Sequence, residues 1–279
     1  MTQAVAIRPV LAFARLAFTD LLTYRMRYVV GIVNYVIYMG VQYFLWSAVY
    51  SSRPEGAPKI ADYDFSRLVT YFAVGWIVRV SYYNNIDREM ADRVSQGDVA
   101  LDLLRPVSLL ERYYGQAVGE GTMRFVFMGL PTALIFFPVF GVAGPSFGSG
   151  AEGVAVAAAF TAACVLAFHA FFLLNFVVGT CTVFFEKIRG LLWTKFVLIQ
   201  FLSGLLVPFD LFPGWAKAIL EALPFRAMAY GPLQIYLGNA RGAGIALELA
   251  IEAAWVGILY VAARWLWNRA RRRLLVHGG

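Results

Sequence analysis

Tyr28 to Tyr50 read "YVVGIVNYVIYMGVQYFLWSAVY", twenty-three consecutive residues without a charge. A helix of about 20 apolar residues crosses the hydrocarbon core of a bilayer. Tyr28, Trp46 and Tyr50 stand near the two ends of the run, where amphipathic rings meet headgroups. The same texture recurs along the chain, at about Leu68–Tyr83, Arg124–Val142, Val154–Phe185, Leu191–Leu206 and Ile245–Trp267. The fourth of these runs exceeds one bilayer thickness, so it must tilt or project. Composition points the same way: 60% of residues are hydrophobic and 15% charged, whereas roughly a quarter are charged in an ordinary soluble domain. The expected fold class is an all-α membrane protein with six transmembrane helices.

The segments between the runs complete the plan. Residues 1–27 mix apolar and basic residues at helical spacing, as an amphipathic helix lying at the membrane interface does. This start is not read as a signal peptide, because charges interrupt it and no small-residue cleavage site follows. Spans one and two then fill 28–84, a charged cytosolic region 85–122, spans three to five 123–206, an outer segment 207–243, span six 244–267 and a basic cytosolic tail 268–279. The outer segment contains Pro208, Asp210, Pro213, Trp215 and Pro224 and is too broken to span. It reads as two short re-entrant helices, with Asp210 as the cap of the first. Cys164 and Cys181 share one apolar run without metal-ligand spacing, so neither a metal site nor a disulfide framework is indicated.

Charge placement orients the array. With both termini inside, seventeen of the 24 basic residues fall on inner segments and six on outer ones, Arg79 being intramembrane. That is a strong positive-inside bias. It accounts for most of the net charge of +7, and no nucleic-acid motif accompanies it.

Against this background the stretch "RVSQGDVALDLLRPVSLLERYY", Arg93 to Tyr114, stands out. A plain connector needs only a few residues. This one combines mixed charge with an apolar stripe (Val99, Leu101, Leu103, Leu104, Leu109), a pattern suited to a partner's groove. Gly97 and Pro106 bracket a short helix or tight turn, with Asp98, Asp102 and Arg105 as the groups to orient it in that groove. A solvated connecting helix is the other reading.

The segment Gly97–Pro106 resembles the "G-x-[hydrophobic]-x-x-x-L-L-R-P" signature that follows span two in permease subunits of type-2 ABC exporters. "SGLLVPFDLFPGWAKAILEALPF", Ser203–Phe225, resembles their "G-x-L-x-P-x-x-x-F-P-x-W…L-P" segment between spans five and six. "RRLLVHGG", Arg272–Gly279, resembles the basic diglycine tail of a viologen-exporter-like subgroup. The resemblance covers nearly the whole chain in the expected order. It implies a cytosolic coupling helix that fits a cleft in an ATPase subunit, carried here by Asp87, Arg88, Glu89, Arg93, Gly97, Asp98, Leu104, Arg105 and Pro106. It also implies two ABC ATPase subunits, a second permease subunit (related or identical), and the bacterial inner membrane.

The chain lacks the phosphate-cradling G-x-x-x-x-G-K-[ST] loop, so no cofactor is expected on it; MgATP belongs to the partner ATPase. H-E-x-x-H is absent too, and there are two histidines in all, which disfavours an enzyme acting on lipid. Four intramembrane polar residues are candidates for a pathway. Arg79 either faces a cavity or snorkels to the inner headgroups. His169 either contacts substrate or protons, or bonds between helices. Glu248 and Glu252 share a helix face; they either meet a cationic substrate or pair with Arg241 and Lys217. The reading is a permease for hydrophobic or amphipathic substrates, cationic ones included. Its rivals are a proton-coupled secondary transporter using those four residues as a relay, and a non-transporting membrane scaffold.

Overall fold

The computed structural model describes residues 7–23, 26–54, 59–103, 106–185 and 189–277. Leu104, Arg105, Lys187 and the diglycine end therefore lie outside the described residues. In chain order the helices are α1 (Ile7–Thr23), α2 (Met26–Ser51), α3 (Phe65–Tyr82), α4 (Ile86–Gln96), α5 (Val99–Leu103), α6 (Leu109–Arg124), α7 (Leu130–Phe140), α8 (Gly150–Thr180), α9 (Arg189–Leu202), α10 (Gly214–Glu221), α11 (Tyr230–Tyr236) and α12 (Ala243–His277). Among the described residues the only strand-like pairing is an isolated bridge between Ile60 and Tyr63.

Among the described residues four helical stretches are long and apolar enough to cross a membrane: Tyr28–Ser51, Leu109–Phe140, Gly150–Val183 and Ala243–Leu274. The second and fifth expected spans differ from these for separate reasons. In α3, thirteen of 18 residues are buried, and Arg67 and Arg79 lie in it. A helix enclosed by protein need not be as apolar as one facing lipid. In α9 there are 14 residues, on the order of 21 Å of helix against a core of about 30 Å.

The third apolar run begins earlier than its composition suggests. Ser108 caps α6 in a reciprocal capping box with Glu111, so the helix starts at Leu109, well ahead of Arg124. It continues through one π turn, Phe125–Gly129, into α7. Pro131 sits in the first turn of α7. Having no N–H, it cannot complete an α-helical ladder, and the wider turn absorbs that gap. α12 likewise runs on past Trp267 through the basic stretch to His277.

The largest apolar core surrounds α3 and α8, with Tyr71, Phe72, Phe136 and Phe176 among its fully buried rings. α1 packs against α6 at backbone distance. A Cβ at Gly115 would lie 2.6 Å from the Val10 carbonyl oxygen, and one at Gly119 would collide with that of Ala14. Gly115 and Gly119 form a G-x-x-x-G pair, which lets two helices approach this closely.

Candidate functional site

The charged stretch folds into an elbow. α4 carries Asp87 and Glu89 in its first turn, where the helix dipole favours acids. It stops at Gly97, whose φ of 80° is left-handed backbone open to glycine. The chain then doubles back through α5. Arg93 donates to both oxygens of Asp102, Nε to Oδ2 at 2.6 Å and Nη2 to Oδ1 at 2.9 Å. Arg112 Nη1, from the start of α6, lies 2.5 Å from the same Oδ2. The Asp102 side chain is 0% exposed. Its hydrogen bond with Arg93 raises that guanidinium further above its ordinary value. Glu89 adds a second tie to α6, accepting from the Gln116 amide with Arg112 Nη2 3.6 Å away.

The residues grouped from sequence therefore part company. Asp87 is buried and pairs with Lys195 of α9. The Arg88 guanidinium lies over Trp193, 5.2 Å from the ring centre. Glu89 and Arg93 are held within the elbow. Gly97, Asp98 and Pro106 lie on its outer edge with Ser95, Gln96 and Leu101. Asp102, expected to orient the elbow in a partner, turns inward instead, because two guanidiniums and a dry site hold its carboxylate.

Below the elbow a polar lattice ties it to α6, α8 and α9. Lys195 also donates to Asn175 of α8 at 2.6 Å, and Asn175 donates to the Asn84 carbonyl and side chain at 3.0 and 2.9 Å. Asn85 donates to Glu120 of α6 from its backbone and its amide, at 3.2 and 3.1 Å. Arg124 donates to the same carboxylate at 2.8 Å. Sequence reading missed Lys195, Asn175 and Glu120. A polar residue inside an apolar run was the available signal, but it names no partner.

The four intramembrane candidates do not converge; among the described residues no hydrogen bond joins one to another. Arg79 is buried, donates to the Tyr35 hydroxyl at 3.0 Å and lies over the rings of Trp76, Tyr83 and Phe196. It is absent from the wall of the cleft between α3, α6, α7 and α8 and lines a smaller one with Tyr83, Lys195 and Phe196. His169 bonds between helices, its Nε2 3.0 Å from the Tyr114 hydroxyl. Glu248 accepts from Arg226 at 2.7 and 2.6 Å, not from Arg241 or Lys217. The 3₁₀ turn Pro224–Met228 brings that guanidinium onto α12, a fold-back that residue spacing hides. Lys217 is taken by Asp210, and Arg241 donates to the Gly238 carbonyl. Glu252 is fully buried beside Gly231, where a side chain would collide with its Oε1.

In the outer segment Asp210 does not cap a helix; Pro208 and Pro213 hold the positions before the turn Phe209–Leu211 and before α10. Asp210 instead gathers three donors: Tyr63 Oη at 2.8 Å, Tyr230 Oη at 2.9 Å and Lys217 Nζ at 2.6 Å. Burial works to raise its carboxyl, but these bonds outweigh it and hold the group below its ordinary value. Pro224 opens the 3₁₀ turn, Trp215 projects outward, and Phe209 stacks on Tyr230 at 4.4 Å.

The sequence has a counterpart among known families. Residues 36–278 match the ABC-2 family transporter protein family. The chain belongs to the ABC-2 transporter family. The match takes in the elbow, the lattice beneath it and the outer segment, leaving residues 1–35, with α1 and the start of α2, and residue 279 outside. No curated protein matches the chain significantly. Membership makes this ABC-2 protein a multi-pass membrane component of a transporter and implies an ABC ATPase as its partner. Components of this family are generally non-enzymatic.

Proposed function

We propose that the chain is the permease subunit of an ATP-driven exporter, with the α4–α5 elbow as the part that receives force from the ATPase. One observation carries the reading: the elbow is latched internally by Asp102 between Arg93 and Arg112, yet exposes Ser95–Gly97, Leu101 and Pro106. A rigid element with a free edge transmits a push instead of deforming under it. The push travels onward through Asp87–Lys195–Asn175 to α9 and α8, and through Asn85–Glu120 to α6.

The rest of the assignment rests on charge placement and on the resemblance to type-2 ABC exporter permeases. α3 and α9 cross the bilayer with the four longer helices, α1 lies at the inner interface, and both termini are cytosolic in a bacterial inner membrane. Two ATPase subunits bind the elbows of two permease subunits, the second being a copy or a relative. The exposed apolar faces of α2 and α9 are available to that second subunit and to lipid. The substrate is hydrophobic or amphipathic, and the basic diglycine tail supports the viologen-exporter-like subgroup.

Transport into inside-out vesicles tests the reading. Uptake should require ATP and stop with vanadate while persisting with a protonophore. Uptake that ignores vanadate and collapses with the protonophore replaces the reading with proton-coupled transport.

A further inference from the structure

Between α3, α6, α7 and α8 lies a cleft of about 600 Å³. That volume is within the range of small-molecule sites, roughly 300–1,000 Å³. Its wall is mostly apolar, with the rings of Phe125, Phe137, Phe160 and Phe168 turned to it. The π turn that follows α6 begins at Phe125, and such turns occur frequently at functional sites.

The few polar groups in the wall share one property: their protons are already given away. Ser81, Thr122 and Thr161 donate to carbonyls of their own helices, at 2.6, 2.8 and 2.9 Å. Tyr236 donates to the Ala143 carbonyl at 3.2 Å. His169 Nδ1 lies 2.7 Å from the Val165 carbonyl, which can only accept, so the ring proton sits on Nδ1. Nε2 is then an acceptor, filled by the Tyr114 hydroxyl. Among the described residues, and apart from the weak Cys164 thiol, the cleft presents oxygen lone pairs and ring faces and no free donor.

We infer that this cleft binds an amphiphile with an apolar body and a donating head, such as a primary alkylammonium, and rejects carboxylate or phosphate heads. An ammonium finds hydroxyl lone pairs and electron-rich rings. An anionic head finds no donor unless a hydroxyl abandons its carbonyl, and no cation to offset its desolvation. The inference concerns binding alone. It is read without ATP or transport, so its failure and that of the exporter reading are separable.

The test is equilibrium binding of radiolabelled dodecylammonium and dodecanoate to the purified full chain at neutral pH. Three variants accompany it. Val165→Trp fills the cleft from its exposed rim. Ser81→Ala with Thr122→Val removes two acceptors at the loss of a single heavy atom. Cys181→Ser leaves Cys164 as the sole thiol. We expect saturable binding of one dodecylammonium per chain, with dodecanoate about tenfold or more weaker, the scale of one charge-assisted hydrogen bond. Val165→Trp should abolish it, and the double variant should erase the preference for the ammonium. Equal binding of both amphiphiles, no saturable binding, or unchanged binding in Val165→Trp overturns the inference. Disulfide joining of two copies of Cys181→Ser through Cys164 also overturns it, by giving the cleft to a second subunit.

Discussion

Asp102→Ala should unlatch the elbow while leaving the membrane helices in place. The carboxylate is 0% exposed and accepts at 2.6 and 2.9 Å from Arg93, with Arg112 at 2.5 Å. Its removal leaves two guanidiniums facing each other, with side chains 22% and 12% exposed. Breaking a buried pair from one side costs about 3–5 kcal/mol. Helix α5 has five residues, too few to stand alone as a helix. The loss should therefore appear as local opening of α5. At 1.4 kcal/mol per decade, the expected rise in amide exchange across Val99–Leu103 is roughly 10² to 4 × 10³. Hydrogen exchange read by mass spectrometry measures it, with α8 and α12 as internal references. The exporter reading adds that ATPase association falls in parallel. Exchange at α5 within a factor of about three of the parent would refute the latch, since that is well under 1 kcal/mol.

Gly119→Ala should separate α1 from α6, because its Cβ would meet the Ala14 carbonyl; overpacking of this kind costs about 1–3 kcal/mol, visible as a lower Tm. Asp87→Asn and Lys195→Met should each destabilise the α4–α9 junction, and a double-mutant cycle on thermal unfolding should find the pair milder than the sum of the singles. Asp210 has a folded value below the usual 3.8, so its stabilising effect is complete above that pH and fades as pH falls through the lower folded value. The Tm gap between the parent and Asp210→Asn should therefore hold above pH 3.8 and close in stronger acid. A cysteine replacing Arg272, in a chain lacking Cys164 and Cys181, should resist an impermeant maleimide in intact cells and react in inside-out vesicles.

Legibility in the sequence followed how far each feature depends on distant partners. The run Tyr28–Tyr50 announces a crossing helix by itself, and α2 is there. Gly97 announces a helix end, which its positive φ fulfils. The start of α6 was hidden because Glu111, Arg112 and Glu120 look like a solvated stretch. In the fold they are neutralised by the cap, by Asp102 and Glu89, and by Asn85 with Arg124. Asp102 itself reads as a surface charge, since acids are almost never buried unless paired. Both of its partners were in view, yet nothing in their spacing fixes the fold-back that joins them. The same holds for Arg226 with Glu248 and for Asp210 with two tyrosines and a lysine, where turns rather than helical periods set the distances. The close contact of α1 with α6 was legible in Gly115 and Gly119, had the spacing been read as a packing motif.

The central claim is that the edge of the elbow meets an ATPase. Gln96 is exposed on that edge, and a cysteine there, in a chain without Cys164 and Cys181, carries a short photo-crosslinker. Irradiated membranes from the native host should yield one major adduct. Mass spectrometry should identify its partner as a polypeptide with a Walker A loop, and ATP with vanadate should alter the yield. A partner lacking any nucleotide-binding motif, or adducts with lipid alone, would contradict the account.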